Sequence, residues 1–222
     1  MAVAVLLALT VVTVTLAVRN DRPPPPAAVA APPPPTSAPA PVDPLLHSSD
    51  FASRPGTNPT GPDRFVDGEL HARIGGRGGR SLAAWRAPSN EHRLSLSVTA
   101  RMVAAPPAEV VLVCGALTPG EKHLAASVAP DGAWRIEANG QVMGRGSAPE
   151  RQAELQETFV LRFDCATDRS PTVATLLLNG TALGAAEALE PFPIPLATFF
   201  VRTEGEEGFD VAVRAFTVRR VG

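Results

Sequence analysis

The chain has 222 residues, with 20 basic and 22 acidic side chains and a formal net charge of -2. That length allows one folded domain plus appendages, and the balanced, dispersed charge excludes the electrostatic footprint of a nucleic-acid binder. Lys122 is the only Lys among the basic residues and Tyr is absent, so the composition follows G+C-rich codons for Arg, Ala, Gly and Pro.

Residues 1–18, MAVAVLLALTVVTVTLAV, carry no charge. As a helix they extend about 27 Å, close to the hydrocarbon thickness of a bilayer. Three readings stand: a retained membrane anchor, a cleaved signal segment, and a buried core helix. The run lacks a basic residue before it and a good small-residue cleavage site, which favours the anchor. Arg19 and Arg22, offset by Asp21, give only a weak orientation signal. The linker spans residues 19–62. Within it, residues 23–44 hold eleven prolines in 22 positions, which prevents helix and sheet alike. A polyproline II rod of about 70 Å is expected, acting as a spacer. Residues 45–62, rich in Ser, Pro, Gly and Thr, are expected to continue as unstructured lead-in to a domain over residues 63–222.

From there the pattern has period two. In HRLSLSVTARMV, Leu94, Leu96, Val98, Ala100 and Met102 share one face, while Arg93, Ser95, Ser97, Thr99 and Arg101 share the other. That alternation is the mark of a half-buried antiparallel strand. FDVAVRAFTVRR repeats it through Phe209, Val211 and Val213, then slips near Ala215 so that Phe216 and Val218 face inward. The slip predicts a β-bulge. Other strand-like runs, among them EVVLVCGAL, AWRIEAN, TFVLRFDC, TVATLLLN and ATFFVRT, are punctuated by Gly, Pro, Asn or Asp. APERQAELQE is the best candidate for a short helix. Asp131-Gly132, Asn139-Gly140 and Asn179-Gly180 suit type I′ hairpin turns, whose middle positions need positive φ. Asn179 also opens a glycosylation sequon, Asn-Gly-Thr, but a turn joining two strands is the favoured role. The expected class is an all-β, two-sheet antiparallel sandwich.

Cys114 and Cys165 are the only cysteines, each closing an apolar run. They have three readings: a disulfide, half of a metal site, or two buried thiols. A metal needs more ligands, and the four His show no metal-binding spacing. An extracellular site favours the bridge; a cytoplasmic one favours free thiols.

With these pieces placed, residues 63–222 resemble the concanavalin A-like lectin/glucanase (LamG-like) jelly-roll domains, of the type tethered outside high-G+C Gram-positive bacteria. VVLVCGAL is similar to their strand ending in a half-cystine. HLAASVAPDGAWRIE resembles their hairpin with an aromatic-rich strand. TFVLRFDC with TVATLLLNGTAL resembles the second half-cystine strand followed by an apolar strand and Asn-Gly turn, and FDVAVRAFTVRR resembles the closing strand. The chain departs from them at Gly115 and Ala116, where an Arg is common, and keeps only Trp134 of the hairpin aromatics. The resemblance implies a jelly roll; a carbohydrate or surface-protein ligand at the cell envelope is expected from the anchor, the rod and the sandwich together.

An enzyme of this class would need two flanking carboxylates, and no strand carries a Glu-x-Asp-x-Glu run. TEGEEGFD gathers Glu204, Glu206, Glu207 and Asp210, but as a glycine-punctuated loop. IGGRGGRS lacks the following helix of a phosphate cradle; a flexible loop is expected. His71, His92 and His123 have no Ser, Cys or Asp at motif spacing. Trp85 and Trp134 are candidate sugar-stacking platforms or core residues. No catalytic residue, metal or cofactor is assigned. The expectation is a non-enzymatic extracellular binding module, membrane-anchored through residues 1–18 or secreted; the alternatives are a divergent glycoside hydrolase and a purely structural surface domain.

Overall fold

A computed structural model describes residues 43–51, 64–74, 78–103, 108–116, 118, 120–168, 170–188, 190–203 and 209–221. The leader, nearly all of the proline-rich segment, residues 52–63 and most of TEGEEGFD lie outside these. Among the described residues, no helix is long and apolar enough to cross a membrane.

The chain order begins β1 (Leu45–Asp50), β2 (Arg64–Val66), β3 (Glu69–Ile74), β4 (Gly78–Glu91) and β5 (Arg93–Met102). It continues with β6 (Ala108–Gly115), β7 (His123–Val128), β8 (Ala133–Ala138) and β9 (Gln141–Ser147). A 3-10 turn (Pro149–Arg151) and helix α1 (Gln152–Gln156) follow, where the sequence places its one helix. Last come β10 (Phe159–Ala166), β11 (Thr172–Leu178), β12 (Thr181–Ala188), β13 (Ile194–Thr203) and β14 (Phe209–Arg220). The first sheet runs β12-β11-β10-β5-β14-β3-β2, with β1 also paired to β14; the second runs β4-β13-β6-β7-β8-β9. Every pairing is antiparallel. The architecture is an all-β, two-sheet jelly-roll sandwich.

The alternation in β5 turns Leu94, Leu96, Val98, Ala100 and Met102 into the core. On its outer side Ser97 and Thr217 share a hydroxyl hydrogen bond of 2.8 Å. In β14 the register to β5 shifts between Val213 and Ala215, leaving Arg214 as the extra residue. One inserted residue resets a period-two pattern, so Val211 and Val213 before it and Phe216 and Val218 after it are all buried.

The folded unit starts earlier than the sequence-based boundary at residue 63. LLHSSD forms β1 against the second half of β14, continuing the edge whose first half pairs with β3. Leu46 packs on the core and Phe51 is buried, its N–H donating to the Arg214 carbonyl at 2.9 Å. Six residues with one inward leucine carry no strand signal alone; the open edge of β14 supplies it. Similarly, Gly78–Ser81 of the glycine-rich stretch belong to β4 rather than to a loop, because β13 pairs with them.

Asn139-Gly140 and Asn179-Gly180 take the expected positive φ, 51° and 78° in one, 49° and 80° in the other. Asp67-Gly68, between β2 and β3, does the same at 50° and 78°. Asp131-Gly132 does not: only Gly132 is left-handed, at 84°. There Gly132 N–H donates to Ala129 C=O, while Asp131 Oδ1 accepts from Ala133 N–H, so the aspartate works through its side chain instead.

Cys114 of β6 and Cys165 of β10 form a disulfide, with Cα atoms 6.7 Å apart. Both are buried among core side chains, and the bond joins the two sheets. Gly115 next to it has φ 110°, and a Cβ there would lie 2.5 Å from the Lys122 carbonyl, so the backbone leaves room only for glycine.

Candidate functional site

The outer face of the second sheet carries its most organised polar group. Alternation sends Ala108, Val110, Ile136 and Val201 inward, and with the opposite phase presents Glu109, Arg135, Glu137 and Arg202 outward. Register places Arg202 opposite Glu109. The Arg202 guanidinium donates to Glu109 at 2.7 Å and to Glu137 at 3.0 Å. Arg135 donates to Glu109 at 2.8 Å, and its Nε stands 2.7 Å from Glu137. The result is a closed ring of alternating charge over three strands, half-buried throughout. Burial works against the Arg202 charge, but Glu109 and then Glu137 outweigh it and raise its pKa.

Beside the ring, Val111, Val113 and Ala125 form a small apolar cluster with Phe200 packed on it. The hydroxyls of Ser127 and Thr198 are buried there without a hydrogen-bond partner. At the β8–β9 end, Glu109, Trp134, Arg135, Arg145 and Gly146 line an open groove of about 490 Å³. Arg145 has no ion-pair partner among the described residues, whereas the four charges of the ring satisfy one another.

The sequence-derived candidates lie apart. Trp134 is on β8 and Trp85 on β4, with β7, β6 and β13 between them. Both are half-buried and pack against the core. Trp134 also fills a slot made of glycines. A Cβ on Gly146 would lie 2.6 Å from its Cζ2, and one on Gly184 of β12 would collide with Cη2. Its indole therefore closes the seam between the edge strands of the two sheets, while also lining the groove.

The remaining candidates are mostly structural. His92 Nδ1 donates to the Phe192 carbonyl at 3.0 Å, at a junction where buried Thr167 also donates to Phe192 at 2.6 Å. The His123 backbone N–H donates to Asn139 Oδ1. Among the described residues no three His, Cys, Asp or Glu stand together as a metal site would require.

The ring escaped sequence reading, which sought two carboxylates on one strand. Glu109 and Glu137 belong to β6 and β8, with β7 between. The available signal was the outward pair Arg135-x-Glu137 inside AWRIEAN; nothing local pointed to partners 26 and 65 residues away.

No family model and no curated protein matches the chain. Solved structures do. A Bacillus subtilis protein of unknown function with a galectin-like fold aligns over 79% of this chain and 96% of its own, at a TM-score of 0.54 and 9% identity. A prokaryotic β-1,3-1,4-glucanase (lichenase) from a mouse hindgut metagenome aligns over 79% and 99%, at 0.54 and 8%. Lectin I-B4 of Griffonia simplicifolia, metal-free, aligns over 79% and 100%, at 0.53 and 9%. At these identities the likeness is one of fold: the domain is a concanavalin A-like jelly roll, an architecture shared by lectins and glucanases.

Proposed function

We propose that this domain is a non-catalytic binding module that takes a carbohydrate on the outer face of its second sheet. The observation that carries the reading is the Glu109–Arg135–Glu137–Arg202 ring beside an open groove. Carboxylates accept and guanidiniums donate, so the pair of types matches the hydroxyls of a sugar. Trp134 and Arg145 at the groove supply an aromatic edge and an unpaired donor. Lectins and galectin-like domains among the structural neighbours agree with this use of the fold.

A second reading, a divergent glycoside hydrolase, draws on the glucanase neighbour and on two carboxylates sharing one face. Hydrolysis needs one carboxyl free to hold a proton and the other free to attack or to activate water. Here each is engaged by two guanidiniums, which favours binding over bond cleavage.

The cell envelope is the proposed setting, with residues 1–18 as anchor and the proline-rich segment as spacer, and with the ligand a surface glycan or, failing that, a surface protein. The uncharged leader and the inter-sheet disulfide support an extracellular place. Mass spectrometry of the membrane fraction, reading the N-terminus and both cysteines, checks it: a cytosolic chain with two free thiols refutes it.

A glycan array with the full chain tests the ligand. Binding that falls at least tenfold in Arg145→Gln, whose exposed side chain holds nothing else among the described residues, is expected, with no β-glucan hydrolysis by the parent. A panel that binds nothing, or a loss of glycan accompanied by released sugar, overturns the reading. Trp134→Ala is a poor probe, because the same ring holds the seam together.

A further inference from the structure

The opposite sheet carries a second, differently charged surface. Where β2, β3 and β14 meet, Arg64, Val66, His71, Arg73 and Asp210 line a cleft of about 310 Å³. Register fixes the arrangement: Arg64 lies opposite His71, and Arg73 opposite Asp210. His71 and Arg73, two residues apart on β3, project on the same side about 7 Å from each other, and directly opposed residues are about 5 Å apart.

The charges here are not matched as they are in the ring. Glu69, buried beside the cleft, is held by Arg214 at 2.7 Å and Arg101 at 3.1 Å, so a single carboxylate faces two guanidiniums. Burial pushes its pKa up, but the hydrogen bonds and charges of Arg101 and Arg214 prevail and keep it below the ordinary value. Arg64 and Arg73 have no carboxylate partner among the described residues. Among the described residues, four guanidiniums therefore stand against Glu69 and Asp210, a net charge of +2 on a chain whose net charge is -2. Both side chains are exposed, and no packing among the described residues requires their charge. Asp210 adds an acceptor: its side chain is 35% exposed, and its inner Oδ1 makes no hydrogen bond, His71 Nδ1 being 3.8 Å away.

We infer that this cleft is an oxyanion site, in which Arg64 and Arg73 grip a carboxylate or phosphate while Asp210 accepts a neighbouring hydroxyl of the same ligand. Arginine forks suit both oxyanions, and half-exposed Val66 offers an apolar edge to a ring or chain carbon. The fitting ligand class is a hydroxylated acid: an acidic sugar or a polyol phosphate unit of a polymer. The site lies on the sheet opposite the proposed carbohydrate face and stands independently of it.

Titration of the full chain with glucuronate, glucose and glycerol phosphate, followed by two-dimensional NMR, tests the inference. Glucuronate is expected to shift amides of β2, β3 and β14, glucose is not, and Arg64→Gln/Arg73→Gln weakens the binding at least tenfold. Asp210→Asn weakens it less, and Arg145→Gln leaves it unchanged. Glycerol phosphate displacing glucuronate marks phosphate as a shared ligand, and failure to displace marks the carboxylate as preferred; either outcome supports the site. Equal response to glucose, no response to either acid, or an unaltered affinity in the folded double variant overturns it. Both arginines being exposed and without a carboxylate partner among the described residues, the variants should unfold at the parent temperature.

Discussion

The hairpins β8–β9 and β11–β12 were built from the same dipeptide and used differently. Each turns at Asn-Gly with nearly identical angles. In each, the asparagine reaches past its own hairpin to a third strand. Asn139 Oδ1 accepts from His123 N–H at 2.9 Å, and Asn179 Oδ1 accepts from Val160 N–H at 2.8 Å. Each Asn N–H also donates to the carbonyl of that same residue, at 3.1 and 2.9 Å. The turn residue thus forms an extra rung for β7 in one sheet and for β10 in the other. The difference is what the side-chain amide meets. Asn179 Nδ2 donates to Glu154 at 2.7 Å, and Arg151 ties Glu154 to the Leu178 carbonyl. That links the second hairpin to α1, on the crossover between sheets, whereas the Asn139 amide has no such partner among the described residues. Local chemistry made two equal turns; the neighbourhood gave only one of them a third attachment.

The largest way to break the comparison is to cut the covalent tie between the sheets that bear the hairpins. Cys114→Ala/Cys165→Ala opens a loop of 51 residues, and about 4 kcal/mol should be lost by the chain-entropy relation, measurable by denaturant unfolding with and without reductant. Next is the shared partner. Trp134→Ala vacates the glycine slot between β9 and β12 and should cost about 3 kcal/mol. Gly184→Ala, which drives a methyl into that ring, should cost somewhat less, and hydrogen exchange should rise in β9 and β12 together. The asparagines separate the two hairpins. Asn139→Ala loses a left-handed preference and an inter-strand bond, about 2 kcal/mol; Asn179→Ala should be the more damaging of the two in thermal unfolding.

The smallest effect is a titration. The Asn179 hydrogen bond, foremost, together with Arg151, holds Glu154 below its ordinary 4.5. A lowered carboxylate pKa stabilises the fold above that ordinary value and loses its contribution as pH falls through the folded one. Asn179→Ala should therefore move the Glu154 side-chain NMR titration upward and flatten the acid limb of stability, while Asn139→Ala leaves both in place.

Much of this was visible in the residues. Period-two runs located the strands, the phase slip in FDVAVRAFTVRR located the Arg214 bulge, and Asn-Gly located two turns, because these signals act within a few residues. The helix candidate was equally local, a polar stretch with Pro at its start. What stayed hidden depends on distant partners. LLHSSD becomes a strand only when β14 offers an edge, and Trp134 reads as a platform until Gly146 and Gly184, far apart in the chain, are folded onto it. The charge ring needs three strands aligned before its members are seen as one group. Asp131-Gly132 shows the opposite limit: the right dipeptide, in a turn whose closure by the Asp131 side chain leaves only Gly132 left-handed.

The placement of β14 bears on how the domain comes into being. It is the final strand in chain order, yet β5 lies on one flank and β3 and β1 on the other. Until it is synthesised, those three segments have a gap where their common neighbour belongs, and Glu69 waits for an arginine 145 residues downstream. Such long-range closure slows folding. Until β14 pairs, the apolar face of β5 lies open to water, a surface prone to association during folding.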